Sequence, residues 1–244
     1  MTIPPIVLVH GAWAGAWCWK RVLAPLRAAG HEVHAVTMTG VGERAHLLSR
    51  EVTLATHVAD VLGLIEAEEL RDVVLVGHSY GGMVSTGVAD ALLARDAGLL
   101  RQLVYVDAVV PRPGESWSST HTSETIAARE AGARASGGVS MPAPDPAVFG
   151  LGGEAGEWVR RRQTPHPFRI YREPLDFDAA RLATVPRSFV SCTAPALATI
   201  TPCRERVRGE PGWRFVEMAT GHDPMVSMPE RFVEVLLEAI AAAR

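Results

Sequence analysis

Short apolar runs recur along the first half of the chain, at Ile6–Val9, His31–Met38, Val73–Val76 and Gln102–Val106. The first three are each followed by residues with helical apolar spacing. These are Trp17–Ala29, closed by Gly30; a stretch capped by Thr53 that runs through His57, Val61, Leu64 and Ile65 to about Leu70; and Met83–Leu93. A continuous aliphatic run reads as a parallel strand covered on both faces. Strand–helix–strand alternation this regular predicts an α/β fold with a doubly wound, mostly parallel sheet. From Pro111 to about Ala180 the texture changes. Pro, Gly and Ser become frequent, and only two modest helices are expected, near 123–135 and 154–162. Bare loop of that length is rare inside a domain, so the segment reads as an inserted helical cap. Regular structure is expected again as a strand at 186–192, a helix at 202–209, a strand at 213–218 and an amphipathic helix at 229–244. The expected organisation is therefore core (1–110), cap or lid (111–180) and core again (181–244).

The strongest chemical signal lies where the third apolar run ends, in Gly77-His78-Ser79-Tyr80-Gly81-Gly82. A strand that turns sharply into a helix through Gly-x-Ser-x-Gly is a nucleophile elbow. Its small neighbours let strand and helix approach, and the serine is left standing clear of the sheet. The Tyr80 N–H, at the start of the helix, is placed to meet a developing oxyanion. The first run ends in His10-Gly11-Ala12-Trp13-Ala14-Gly15-Ala16-Trp17, a loop at the carboxyl end of a central strand, where open α/β sheets place ligand contacts. Its Ala12 N–H is the expected second oxyanion donor. Trp13 and Trp17 are candidate pocket walls, joined by Trp117, Trp158 and Met225. His10 is expected to shape the loop, and His57 to lie on a helix surface or in a satisfied hydrogen bond.

A serine hydroxyl needs a histidine base, and that base an orienting carboxylate. Of nine histidines, His222 alone lies in a tight loop after the final strand, in Gly221-His222-Asp223-Pro224-Met225. The carboxylate is less legible. The residues after the 186–192 strand, Thr193 to Thr199, include no Asp or Glu. Asp107, after the strand that follows the elbow helix, preserves the chain order Ser, Asp, His. Glu205 and a serine–histidine dyad without an acid stay open beside it. Asp223 is disfavoured because it is adjacent to His222.

Composition limits the partners. With 24 basic against 27 acidic residues the net charge is −3, which points away from nucleic acid and membrane surfaces and toward a small molecule. No stretch has the length of a membrane span. Three cysteines lack metal-ligand spacing and fit a reduced, cytoplasmic protein better than a disulfide framework. No cofactor or metal is expected, and a homodimer is left open. Arg160-Arg161-Arg162 reads as a solvated helix face.

Together the 9–13, 17–19, 40–44 and 77–82 segments, Asp107 with Pro111-Arg112-Pro113-Gly114, and the 221–225 segment resemble the α/β-hydrolases. The likeness is to the small esterase group that includes plant methyl-ester esterases, hydroxynitrile lyases and bacterial carboxylesterases. The resemblance implies Ser79 as nucleophile, His222 as base and the Ala12 and Tyr80 N–H groups as oxyanion hole. The lyase branch uses a threonine in the oxyanion loop and a lysine after the histidine, where this chain has Gly11 and Asp223. The expected activity is thus cofactor-independent cleavage of a small, largely apolar carboxylic ester, a carbamate or a lactone. A lyase or biosynthetic cyclase on the same scaffold, and a non-catalytic ligand-binding protein, are the rival readings.

Overall fold

A computed structural model of the chain describes residues 3–243, so Arg244, the last residue of the expected terminal helix, lies outside the described residues. Six parallel strands form one sheet: β1 Ile6–Val9, β2 Val33–Val36, β3 Val73–His78, β4 Leu100–Val106, β5 Arg187–Cys192 and β6 Trp213–Met218. Their spatial order is β6-β5-β4-β3-β1-β2. The chain winds outward through β2, returns to place β3 beside β1, and then winds the other way. The β1/β3 boundary is therefore the topological switch point, where doubly wound sheets bind ligands beyond the carboxyl ends of their strands.

Alternation along the central strands explains why both faces are apolar. Val7 and Val9 of β1, Val73 and Leu75 of β3, and Leu103 and Tyr105 of β4 pack into one core layer. Ile6 and Leu8, Val74 and Val76, and Val104 and Val106 pack into the other. The first layer is covered by helices α2 (Leu54–Ala67) and α3 (Gly81–Arg95), the second by α1 (Lys20–Ala28) and α9 (Pro229–Ala242). Each fully buried aliphatic side chain contributes roughly 1.5–3 kcal/mol, so the central strands hold the sheet together while β6, at the edge, is only partly covered. Thr53 caps α2 through a reciprocal pair of bonds with Thr56.

Between β4 and β5 the chain leaves the sheet for residues 107–186. This insertion contains α4 (Ser123–Arg134), α5 (Gly153–Arg160) and α6 (Ala179–Leu182). Two short antiparallel ladders pin it, one pairing Glu115–Ser116 with Pro174–Leu175, the other pairing Ser140–Met141 with His166–Pro167. Helices α7 (Thr201–Arg208) and α8 (Pro224–Ser227) complete the chain.

Candidate active site

Three loops at the carboxyl edge of the sheet each contain a side-chain-bearing residue in the left-handed region: Trp13 (φ +61°) after β1, Ser79 (φ +53°) after β3 and Asp107 (φ +42°) after β4. Two others, Glu69 and Asp72, lie in the turn leading into β3. Such a backbone costs on the order of 1–2 kcal/mol per residue and persists only where the surroundings over-determine it. At Ser79 the cause is visible. A Cβ on Gly81 would lie 2.6 Å from the His10 carbonyl oxygen, and one on Gly77 would lie 2.5 Å from Ser85 Oγ. Only glycine at both places lets the first turn of α3 rest on β1 and β3. Ser79 is held from both sides, its N–H donating to the Val106 carbonyl at 3.2 Å and its carbonyl accepting from the Val109 N–H at 3.0 Å.

Asp107 is fully buried, and its Oδ2 accepts from His222 Nδ1 at 2.7 Å. A carboxylate only accepts, so Nδ1 carries the proton and Nε2 presents a lone pair. Oδ1 is also occupied. It accepts from an Arg204 guanidinium N–H at 2.8 Å and from the Cys192 backbone N–H at 3.1 Å. Burial pushes this carboxyl up, but the hydrogen bonds and charges of His222 and Arg204 outweigh it and hold the group below its ordinary value of 3.8. Glu205 is exposed on α7, and Asp223 lies at the start of α8. Ser79 Oγ and His222 line the same cleft without a hydrogen bond between them among the described residues; such contacts commonly tighten only as a substrate docks.

Among the described residues, neither the Ala12 nor the Tyr80 N–H donates to another group of the chain, although both residues are buried. Buried backbone donors are rarely left free, which marks this pair for a ligand. Gly11, just before Ala12, is dictated by the elbow: a Cβ there would sit 2.8 Å from Ser79 Cβ.

The loops behind these donors are fastened by histidines. His10 Nδ1–H donates to the Gly11 carbonyl at 2.7 Å while its Nε2 accepts the Met38 N–H at 3.1 Å. His57, buried rather than on a helix surface, donates from Nε2 to the Thr39 carbonyl at 2.8 Å and takes the Tyr80 hydroxyl on Nδ1 at 3.1 Å. His166, from the insertion, accepts the Trp13 N–H on Nδ1 at 3.4 Å, and Thr164 N–H donates to the Trp13 carbonyl at 3.0 Å. His166 and Arg204 are the supports that sequence reasoning missed. Neither belongs to a motif, and each acts across a chain separation of about a hundred residues or more.

Burial pushes His10 and His57 down to about 4; burial and the neighbouring His222 ring push His78 down to about 3. All three are neutral at pH 7. In the unfolded chain the same rings titrate near 6.5, so as the pH falls below that value the unfolded state binds protons that the folded state refuses. Stability is therefore expected to fall between about pH 6.5 and about pH 4, by up to about 1.4 kcal/mol per pH unit for each ring, with the Asp223 carboxyl, raised by burial to about 6, offsetting about one ring's share below pH 6. Urea midpoints measured across that window check this; a flat profile would mean that the rings are not held neutral.

Ser79 and His222 open into a narrow cleft with about 20 Å³ of free space, walled by Trp13, Trp17, Phe149 and Val159 and edged by Gln163 and Asp223. The expected pocket residues thus divide. Trp13 and Trp17 line the cleft. Trp158 packs edge-on against Trp17 at 5.2 Å, with the Arg21 and Arg162 guanidiniums over its ring. Trp117 packs behind Trp13 and Tyr80, at 5.7 and 5.0 Å. Met225 is buried in the core layer beneath α8. Trp158 and Trp117 support the walls from behind because the short insertion needs its large side chains to pack itself, whereas Met225, on α8, is taken up by the core. A larger groove of about 490 Å³ between α2 and residues 173–176 includes none of the residues that converge on Ser79.

The chain matches the alpha/beta hydrolase family over residues 6–235. It is 43% identical to a carbendazim hydrolyzing esterase of Nocardioides sp. (strain SG-4G) over 239 residues, covering 94% of this chain and 97% of that protein. It is 27% identical to a pyrethroid hydrolase of Sphingobium wenxiniae over 258 residues, covering 98% of this chain and 88% of the relative. Among solved structures, an extracellular alpha/beta-hydrolase from a Paenibacillus species superposes with a TM-score of 0.83 at 24% identity, covering 97% of this chain and 99% of the other, a likeness of fold. No helix among the described residues is long and apolar enough to cross a membrane.

Proposed function

The chain belongs to the alpha/beta hydrolase family, and from that premise we propose that it is a cofactor-independent serine hydrolase that cleaves a small, largely apolar carboxylic ester through an acyl-enzyme. The observation that carries this is the buried 2.7 Å pairing of Asp107 with His222 beside an elbow serine in left-handed backbone. Similarity to relatives named for hydrolysing carbendazim and pyrethroids supports the same reaction class and makes those two compounds the first natural candidates to try.

Ser79 Oγ attacks the ester carbonyl while His222 Nε2 takes its proton. Asp107 keeps the ring in the tautomer that can do so and stabilises the imidazolium. The Ala12 and Tyr80 N–H groups meet the oxyanion, each worth about 3–4 kcal/mol in the transition state. His222 then returns the proton to the leaving alcohol, and a water repeats the cycle on the acyl-enzyme. The free space beside Ser79 holds little more than one water. A substrate therefore enters by displacing the aromatic walls. The three buried, unbridged cysteines support a reducing compartment, the cytoplasm.

The test is a stopped-flow assay with p-nitrophenyl acetate and butyrate. About one equivalent of p-nitrophenolate per protein is expected in a burst, with a matching mass increase on the Ser79 peptide when the reaction is quenched with acid. Absence of both burst and turnover would favour a lyase or a binding protein on this scaffold.

A further inference from the structure

The cleft at Ser79 has apolar walls on most sides, yet two polar side chains edge it with no task inside the protein. Asp223 follows His222 directly, and its carboxylate takes no hydrogen bond among the described residues. Aspartate is a preferred helix cap, and Asp223 stands at the N-cap of α8, but its side chain does not cap. The nearest cationic candidate, His78 Nε2, is 3.6 Å from Asp223 Oδ1 and already donates to the His222 carbonyl at 2.9 Å. Gln163, from the insertion, likewise makes no side-chain hydrogen bond among the described residues.

We propose that Asp223, with Gln163 beside it, forms a recognition subsite for substrates carrying an N–H donor next to the scissile carbonyl, as planar N-aryl carbamates do. This rests on the hydrolase reading above and narrows its substrate class. The side chain of Asp223 is only 15% exposed and no group among the described residues donates to it, so its carboxyl faces the cleft with little water and no donor of its own. Burial pushes its titration up to about 6, the His222 ring opposing this and the nearby Asp107 carboxylate adding to it. A substrate N–H supplies the missing donor, while the aromatic walls of Trp13, Trp17 and Phe149 take the flat ring. A site built around an unpaired acceptor rejects an analogue that lacks the donor far more strongly than an apolar pocket rejects a missing methylene.

The experiment compares methyl N-phenylcarbamate with methyl phenylacetate, in which a tetrahedral CH2 replaces the planar N–H, so that the change on mutating Asp223, rather than the wild-type difference alone, reads the donor. Each is used as a competitive inhibitor of p-nitrophenyl butyrate hydrolysis at about pH 8, where Asp223 is ionised. Wild type is expected to bind the carbamate more tightly. In Asp223→Leu that preference should shrink by roughly tenfold or more, and in Asp223→Asn, whose amide oxygen still accepts, by less. Equal affinity of wild type for the two compounds, absence of inhibition by both, or an equal change for both in Asp223→Leu would overturn the subsite and leave the hydrolase reading intact. Failure of wild type to turn over p-nitrophenyl butyrate at all would remove the hydrolase reading and the subsite with it.

Discussion

Replacing Ser79 with alanine is expected to lower kcat on p-nitrophenyl butyrate by five to six orders of magnitude, the scale on which a serine hydrolase loses its nucleophile (about 10⁶). The burst should vanish with it, because no acyl-enzyme can form. The fold should survive, since Ser79 Oγ makes no hydrogen bond among the described residues and the backbone bonds to Val106 and Val109 are untouched. Ser79→Gly sharpens the result. It abolishes the same chemistry, but without a Cβ the left-handed backbone at φ +53° is no longer strained. That variant should melt at a higher temperature than Ser79→Ala, by about 1 kcal/mol of stability. A variant lacking the hydroxyl that retained turnover within a hundredfold of wild type would place the nucleophile elsewhere. A Ser79→Gly protein less stable than Ser79→Ala would mean that the elbow is not strained.

Asp107→Asn should lower kcat by about 10⁴ with little change in KM, and the reason lies on the far side of the carboxylate. Oδ1 accepts from Arg204 and from the Cys192 N–H, so an asparagine at this position must keep its oxygen there. Its NH2 then faces His222 Nδ1 and imposes the tautomer whose Nε2 bears hydrogen. That ring cannot take the Ser79 proton. Arg204→Met should cost less, about tenfold to a hundredfold, because the Cys192 N–H still holds Oδ1 and the His222 bond is retained. The two losses should not add, since both act through one carboxylate. Steady-state kinetics on the single and double variants measure this. Near-wild-type activity in Asp107→Asn would show that His222 works without an acid.

Much of the scaffold was readable because it rests on short-range pattern. Ile6–Val9, Val73–His78 and the helices that follow them are legible from continuous aliphatic runs alternating with period-3.6 spacing, and the structure departs from those bounds by only a few residues, as in the shortened β2. The elbow and the loop after β1 were equally legible, for their glycines answer contacts with immediate neighbours in the fold. The insertion was legible as an insertion but not as a wall. Its large side chains split between the cleft and their own packing, and nothing in local spacing separates Phe149, which faces Ser79, from Trp117, which supports Trp13 from behind.

What the sequence by itself determined is thus the alternating α/β architecture, the elbow at Ser79, His222 as the one histidine on the last strand's loop, and a short set of carboxylates from which to choose. Tertiary structure alone decided which of them meets His222. Asp107 reaches it because β4 and β5 are neighbours, so that the Cys192 N–H and the Arg204 guanidinium, more than eighty residues away in the chain, close around the same carboxylate. It also decided that His57 and His166 brace the loops behind the site, and that Asp223 borders the cleft without capping its helix. Spacing within one element is encoded by residues three or four apart, whereas these contacts join segments whose meeting depends on how every element between them packs.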